Sequence, residues 1–287
     1  MRRFHAISSA GLLAAVLAVG GCAGHGARRG GGGGGGADAA GAAVPLGSAA
    51  LAPGVRGVKL LVVGDSWARN LGVGAADADR DRRNVVVNAG EPGCGLMQPV
   101  RIRRQGRMIA APARCNRWPE RWRDLVARYH PTAVLLEVGY WDGQDSQQLP
   151  GHTGVQSITG PDFRRRFDAQ VDRAIGILSA GGARVYLPTV VDNSDAARAN
   201  SDAMNAAVHA AVRRNPAHAA LLDLHGQLCS AAKVCPREVS GIQVYDDTGH
   251  PSAAAHDRLG AWILNSIHTD LSRTPPRGGQ VPTKAGH

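Results

Sequence analysis

"VKLLVVGDSWARNLG", residues 58–72, decides how the chain is to be read. Val58 to Val63 is a β-rich run broken only by Lys59. Strands buried on both faces of a parallel sheet read this way, because neither side of the strand meets water. Gly64-Asp65-Ser66 then turns the chain into a segment that reads as helix. By itself Gly-Asp-Ser is ordinary turn chemistry. A serine just past the carboxyl end of a buried strand is also where an open α/β sheet places its ligands. The rest of the chain must separate the two readings.

Outward from this stretch, further strand-like runs follow at 84–88 (NVVVN), 132–138 (TAVLLEV), 183–191 (ARVYLPTVV) and 220–224 (ALLDL). Helical periodicities lie between them. Trp118, Trp122, Leu125 and Tyr129 make one apolar stripe, with Pro119 suited to a first turn. Phe163, Phe167, Val171, Ile175 and Leu178 make a second, which starts after Pro161 and stops at Gly181-Gly182. Leu259, Trp262, Ile263 and Ile267 make a third. Five strands separated by helices predict a three-layer α/β domain around a parallel sheet. A nucleotide-binding domain of similar layout is disfavoured, because the first turn carries neither G-x-G-x-x-G nor a Walker pattern.

The ends of the chain read differently. Residues 1–22 combine Met1-Arg2-Arg3, a short apolar core and "VGGC", the layout of an export signal with Cys22 at a lipobox-like cut site. Its apolar stretch is too short for a membrane span. Residues 23–54 are rich in Gly and Ala without a period, as expected of a flexible linker. About thirty such residues have an r.m.s. reach of roughly 30 Å, from ~5–6 Å times the square root of their number. The tail 273–287 also reads as disordered, which leaves 55–272 as the folded domain. The expected location is therefore the outer face of the cytoplasmic membrane, or outside the cell. The net charge of +10 comes mainly from arginine in an Ala/Gly-rich chain. Such a surface suits acidic polymers or lipid heads, and export makes nucleic acid a poor partner.

Besides Cys22, the chain carries Cys94, Cys115, Cys229 and Cys235. An even number in an exported protein argues for disulfides. Neighbourhood in sequence favours Cys94–Cys115 and Cys229–Cys235 among the three possible pairings. His225 precedes Cys229 by four residues, but the spacing matches no paired CxxC pattern, so no metal is expected.

A nucleophilic serine needs a base, and the base needs an orienting group. "VYDDTGHPSAAAHDRLGAWI", starting at Val244, supplies the one other loop-to-helix junction where such residues cluster. Asp247 and His250 lie three apart, so the carboxylate can accept from one imidazole nitrogen while the other faces outward. Asp246 competes with Asp247 for that role.

These residues resemble the SGNH (GDSL-type) hydrolases: "GDS" after the first strand, Gly90 in "NAG" after the second, and "DTGHPS" before the last helix. The resemblance implies that Ser66 is the nucleophile, that Ser66 and Gly90 amides hold the oxyanion, and that Asp247 and His250 complete the triad. It implies a flavodoxin-like SGNH fold with a five-stranded parallel sheet over nearly all of 55–272, and no cofactor. "GCGL", "CNRWPERW", "GYWD" and "DLHGQLC" are similar to the exported SGNH domains fused to actinobacterial membrane O-acyltransferases, a likeness that also supports both disulfides. One block departs from the general pattern: Trp141 stands where most of the family has an oxyanion-donating asparagine. Trp141 and Asp142 are accordingly read as pocket or oxyanion support. A lost oxyanion donor costs about 10²–10³ in turnover. The resemblance implies an esterase or O-acyl transferase acting on an acylated glycan or small ester, with a membrane acyltransferase as a candidate partner. The competing expectation is a catalytically weak envelope-binding module that keeps the fold and uses the Arg-rich stretch 101–123.

Overall fold

The opening run forms β1 (Lys59–Val63), with Leu60 to Val63 buried, and the chain passes through Gly64 and Asp65 into α1 (Ser66–Ala78). The computed structural model describes residues 50–104, 106–143, 147–191, 198–229 and 235–273. The expected export signal with Cys22, the expected linker up to residue 49 and the tail from 274 lie outside these residues. After α1 come β2 (Val85–Asn88), β3 (Arg101–Arg104), β4 (Arg107–Ala110) and α2 (Trp118–Tyr129). Next are β5 (Ala133–Leu136), α3 (Tyr140–Gly143), β6 (Gln147–Gln148), α4 (Pro161–Leu178), β7 (Arg184–Pro188) and α5 (Arg198–Arg214). β8 (Ala219–Leu222), α6 (Leu224–Cys229), β9 (Glu238–Val239), β10 (Ile242–Gln243) and α7 (Ala253–Arg273) complete the order.

The main sheet has five strands in the order β2-β1-β5-β7-β8, all parallel. The strand order reverses between β1 and β5, which is the switch point where open α/β sheets bind ligands. Alternation along the strands divides the core. Leu61, Val63, Val134 and Leu136 face one layer with Trp118, Trp122, Phe163, Phe167 and Val171. Leu60, Val62, Ala133 and Leu135 face the other with Leu71, Ala75, Leu259, Ile263 and Ile267. The three apolar stripes are thus core, with one exception. Tyr129 is 39% exposed, because α2 ends there and His130 turns away with φ of 44°.

Two features were not apparent from the strand pattern. α5 carries a weak stripe of small side chains, and it buries Met204, Ala207, Val208 and Ala211. The Arg-rich stretch splits into an antiparallel hairpin, β3 with β4, to which β6 adds, followed by α2. A second small antiparallel pair, β9 with β10, leads toward α7.

The packing of α1 on α7 positions the site. A methyl group added at Gly74 would stand 2.2 Å from His256 O, and one at Gly260 would stand 1.9 Å from Gly74 O. Only hydrogen side chains let the two helix backbones approach this closely. His256 Nε2 meets Asn70 Oδ1 at 3.1 Å near their shared N-terminal end. Ser66 opens α1 and His250 lies three residues ahead of α7, so the close packing brings both to one edge of the sheet.

Candidate active site

The turn that presents Ser66 is tightly determined. Gly64 has φ of 133°, and a side chain there would run into Glu137 O at 2.2 Å. Asp65 caps α1: its Oδ1 accepts the Trp67 N–H at 2.7 Å. Ser66 is therefore the first helical residue, with its own N–H among the free donors at a helix start.

His250 Nε2 lies 2.8 Å from Ser66 Oγ. Its Nδ1 lies 2.7 Å from Thr248 Oγ1, and the Thr248 hydroxyl donates to Asp246 Oδ1 at 2.6 Å. The direction of this chain assigns the tautomer. The Thr248 hydroxyl hydrogen points at Asp246, so its oxygen is left to accept from His250 Nδ1–H. Nε2 is then unprotonated and can accept the Ser66 hydroxyl proton. Asp246 Oδ1 also accepts the Thr248 and His250 main-chain N–H groups, at 2.8 and 3.1 Å. These bonds, the Thr248 hydroxyl first among them, hold the Asp246 carboxyl below its usual range.

This corrects the expected arrangement. Asp247 is exposed and makes no side-chain hydrogen bond among the described residues. The local turn explains why: Asp246 folds back over the next four residues, which turns the Thr248 hydroxyl onto the imidazole and directs Asp247 outward.

Gly90 lies in the loop after β2, pressed on α1 so closely that a methyl group there would stand 2.5 Å from Arg69 N. Its N–H faces Asn88 Oδ1 at 3.3 Å, a long bond that an oxyanion would have to displace. Glu91 secures the loop. Its N–H donates to Gly64 O at 2.8 Å, and its carboxylate is held by Arg114 at 3.0 Å and by Arg121. The Cys94–Cys115 disulfide ties the same loop to the turn before α2, and Cys229–Cys235 forms as well. His225 lies near the latter pair, but both sulfurs are taken by the S–S bond.

Trp141 occupies α3 beyond β5, with its ring edge-on to Tyr140 at 5.6 Å, and its main-chain N–H faces the Asp65 carboxylate. Asp142 is an anchor: its two oxygens accept the Leu96 and Met97 N–H groups at 2.7 and 2.8 Å. A carboxylate so engaged holds the loop in place and has no donor for an oxyanion.

Three carboxyls lie buried under the turn: Asp65, Glu137 and Asp142 are 2%, 7% and 1% exposed. Burial is the main reason that each titrates above its ordinary range. Asp142 is pushed up to about 7 despite its two amide donors. The Asp65 charge raises Glu137 further. Glu137 could be suspected in the sequence only as the one charged residue inside "TAVLLEV".

A parallel sheet, a serine at the exit of its first strand and a histidine bonded to that serine ahead of the last helix define a serine hydrolase of the ester-cleaving class. The family model described as "SGNH domain (fused to AT3 domains)" matches residues 36–265, and the chain belongs to that family. Solved structures similar to it include TesA, at 19% identity and TM-score 0.47, covering 73% of this chain and 99% of that one. Esterase EstA from Pseudoalteromonas sp. shows 15% identity and TM-score 0.48, covering 75% and 100%. The acetylxylan esterase Axe2 from Geobacillus stearothermophilus shows 17% identity and TM-score 0.48, covering 74% and 94%. No curated protein matches the chain.

Proposed function

We propose that the chain is a cell-envelope serine esterase or O-acyl transferase that removes acyl groups, chiefly acetyl, from a glycan hydroxyl or small ester. The observation that carries this reading is the 2.8 Å contact between Ser66 Oγ and His250 Nε2 at the sheet's switch point. Ser66 Oγ attacks the ester carbonyl as its proton passes to His250 Nε2. The resulting oxyanion is held by the Ser66 and Gly90 N–H groups. His250 then returns the proton to the leaving alkoxide, and an acyl-serine remains. Water, or a sugar hydroxyl in a transfer reaction, attacks that acyl group with His250 again as base, and Ser66 is restored. Every step uses this chain's own residues.

Envelope placement rests on residues 1–22 and on Cys22 as the lipidated N-terminus. A membrane acyltransferase is the natural partner, because the matching family is described by its fusion to such a domain. The test is acetate release from an O-acetylated glycan by the purified chain, with and without an added sugar acceptor. Ser66→Ala must abolish release, and acetyl appearing on the acceptor identifies transfer. Release undiminished in Ser66→Ala contradicts the reading. For the anchor, the mass of the mature N-terminus should show a lipid-modified Cys22, and an unmodified start contradicts it.

A further inference from the structure

We infer that Asp65 and Glu137 share a single proton across a buried carboxyl-to-carboxyl hydrogen bond beneath the Ser66 turn, with Glu137 as the neutral donor, and that this pair positions the nucleophile. The inference rests on Ser66 being the nucleophile, as proposed above.

The geometry comes first. Asp65 precedes Ser66 and caps α1, while Glu137 continues β5, the strand paired with β1. Glu137 N donates to Val63 O at 3.0 Å, so the two strand ends are locked together just below the turn. Asp65 and Glu137 line the same small cavity and their carboxyls face each other. Each has a buried oxygen, Asp65 Oδ2 and Glu137 Oε2, that meets no donor. Two ionised carboxylates cannot bond to each other, and buried acceptors without donors are costly. One proton between them satisfies both groups and removes one of two like charges from a low-dielectric site.

The assignment of the proton follows from the surroundings. Asp65 accepts the Trp67 N–H and faces that of Trp141, both of which favour its ionised form. Glu137 faces the charge of Asp65 and, from α3, that of Asp142, which favour its neutral form and outweigh the Asp65 main-chain N–H that faces its carboxyl. His250, from the loop before α7, adds a positive influence on Asp65. Arg121 of α2 lines the same small cavity, with its Nη1 on Glu91 and its Nε buried without a partner. Room around the pair is tight, since a methyl group on Gly139 would stand 2.2 Å from Glu137 Oε1.

The consequence is functional. With the proton in place, Asp65 holds the helix start and the pair carries one negative charge. When the proton leaves at alkaline pH, the pair carries two, and the added charge beneath the Ser66 N–H opposes the oxyanion. The pair therefore sets an alkaline limit on acylation.

The test uses the full chain and Glu137→Gln, whose amide can donate to Asp65 as the neutral carboxyl does but does not titrate. Infrared difference spectra in an Asp142→Asn background, which removes the carboxyl that titrates at about 7, should show near neutral pH a protonated carboxylic acid band that adding Glu137→Gln removes. This readout is independent of ester cleavage, so it separates the shared proton from the esterase reading. In acylation by a nitrophenyl ester, Glu137→Gln should move the alkaline limb upward by more than about one pH unit, the coupling that marks interacting sites. Absence of the acid band in the Asp142→Asn background overturns the shared proton. An unchanged alkaline limb in Glu137→Gln overturns the positioning role. If Glu137→Gln does not fold, the band in the Asp142→Asn background decides alone, by its presence or absence as the pH is raised.

Discussion

Thr248 is the residue that most alters the chemistry of the site. Its hydroxyl links His250 Nδ1 to Asp246 and so fixes which imidazole nitrogen accepts the serine proton. Thr248→Val should remove the acceptor at Nδ1. The loss of such a bond costs about 1–3 kcal/mol. Because Thr248 is exposed, the lower part of that range applies, about tenfold in kcat. Thr248→Ser keeps the hydroxyl and should restore the rate, which a purely structural role would not require. Asp246→Asn should lower kcat in the same direction, while Asp247→Asn should stay within about 0.5 kcal/mol, as surface substitutions do. Steady-state kinetics on a nitrophenyl ester measure all four, and a larger loss for Asp247→Asn than for Asp246→Asn would reverse the assignment. The meeting of Ser66 with His250 was legible in the sequence because one sits at a strand exit and the other just ahead of the last helix. Thr248 was not, because Asp246 and Asp247 can both reach back toward His250, and only the three bonds accepted by Asp246 Oδ1 decide between them.

At the scale of elements, two devices hold the site together. The first is the glycine contact between α1 and α7, which keeps Ser66 and His250 in register. Gly260→Ala forces a methyl group into Gly74 O and should destabilise the fold by about 1–3 kcal/mol, as overpacking does. Urea unfolding measures the loss, and wild-type stability would contradict the close packing. The second is the Cys94–Cys115 bridge, which spans a sequence separation of 21 and ties the loop that carries Gly90 and Glu91 to the turn before α2. Removing it by Cys94→Ala with Cys115→Ala should cost about 2–4 kcal/mol. The large strands were readable because burial on both faces makes continuous apolar runs. α5 escaped notice because small side chains, Ser201, Ala207 and Ala211, make up most of its buried face. The β3–β4 hairpin escaped because Arg101 and Arg103 alternate with Ile102, a pattern equally natural in an exposed basic segment.

For the whole molecule, buried carboxyls tie stability to pH. The Asp65–Glu137 pair, through its shared proton, and Asp142 titrate higher in the folded chain than in the unfolded one, so the folded state keeps protons that the unfolded state has released. The stabilisation is complete below the ordinary carboxyl range and, for Asp142, is lost as pH rises through about 7. Each such proton is worth up to about 1.4 kcal/mol per pH unit in that window. The melting temperature should therefore fall from mildly acidic to mildly alkaline pH, and Asp142→Asn should flatten the fall. An increase over the same range would contradict the assignment. The layout of one parallel sheet with chemistry at its switch point was legible from strand order alone, whereas this burial depends on packing that no local pattern records. The central claim is that Ser66 is a working nucleophile. Mass analysis after exposure to an active-site serine phosphonate tests it most directly. The account predicts one adduct, on Ser66, absent from Ser66→Ala, and an unlabelled wild-type protein would contradict it.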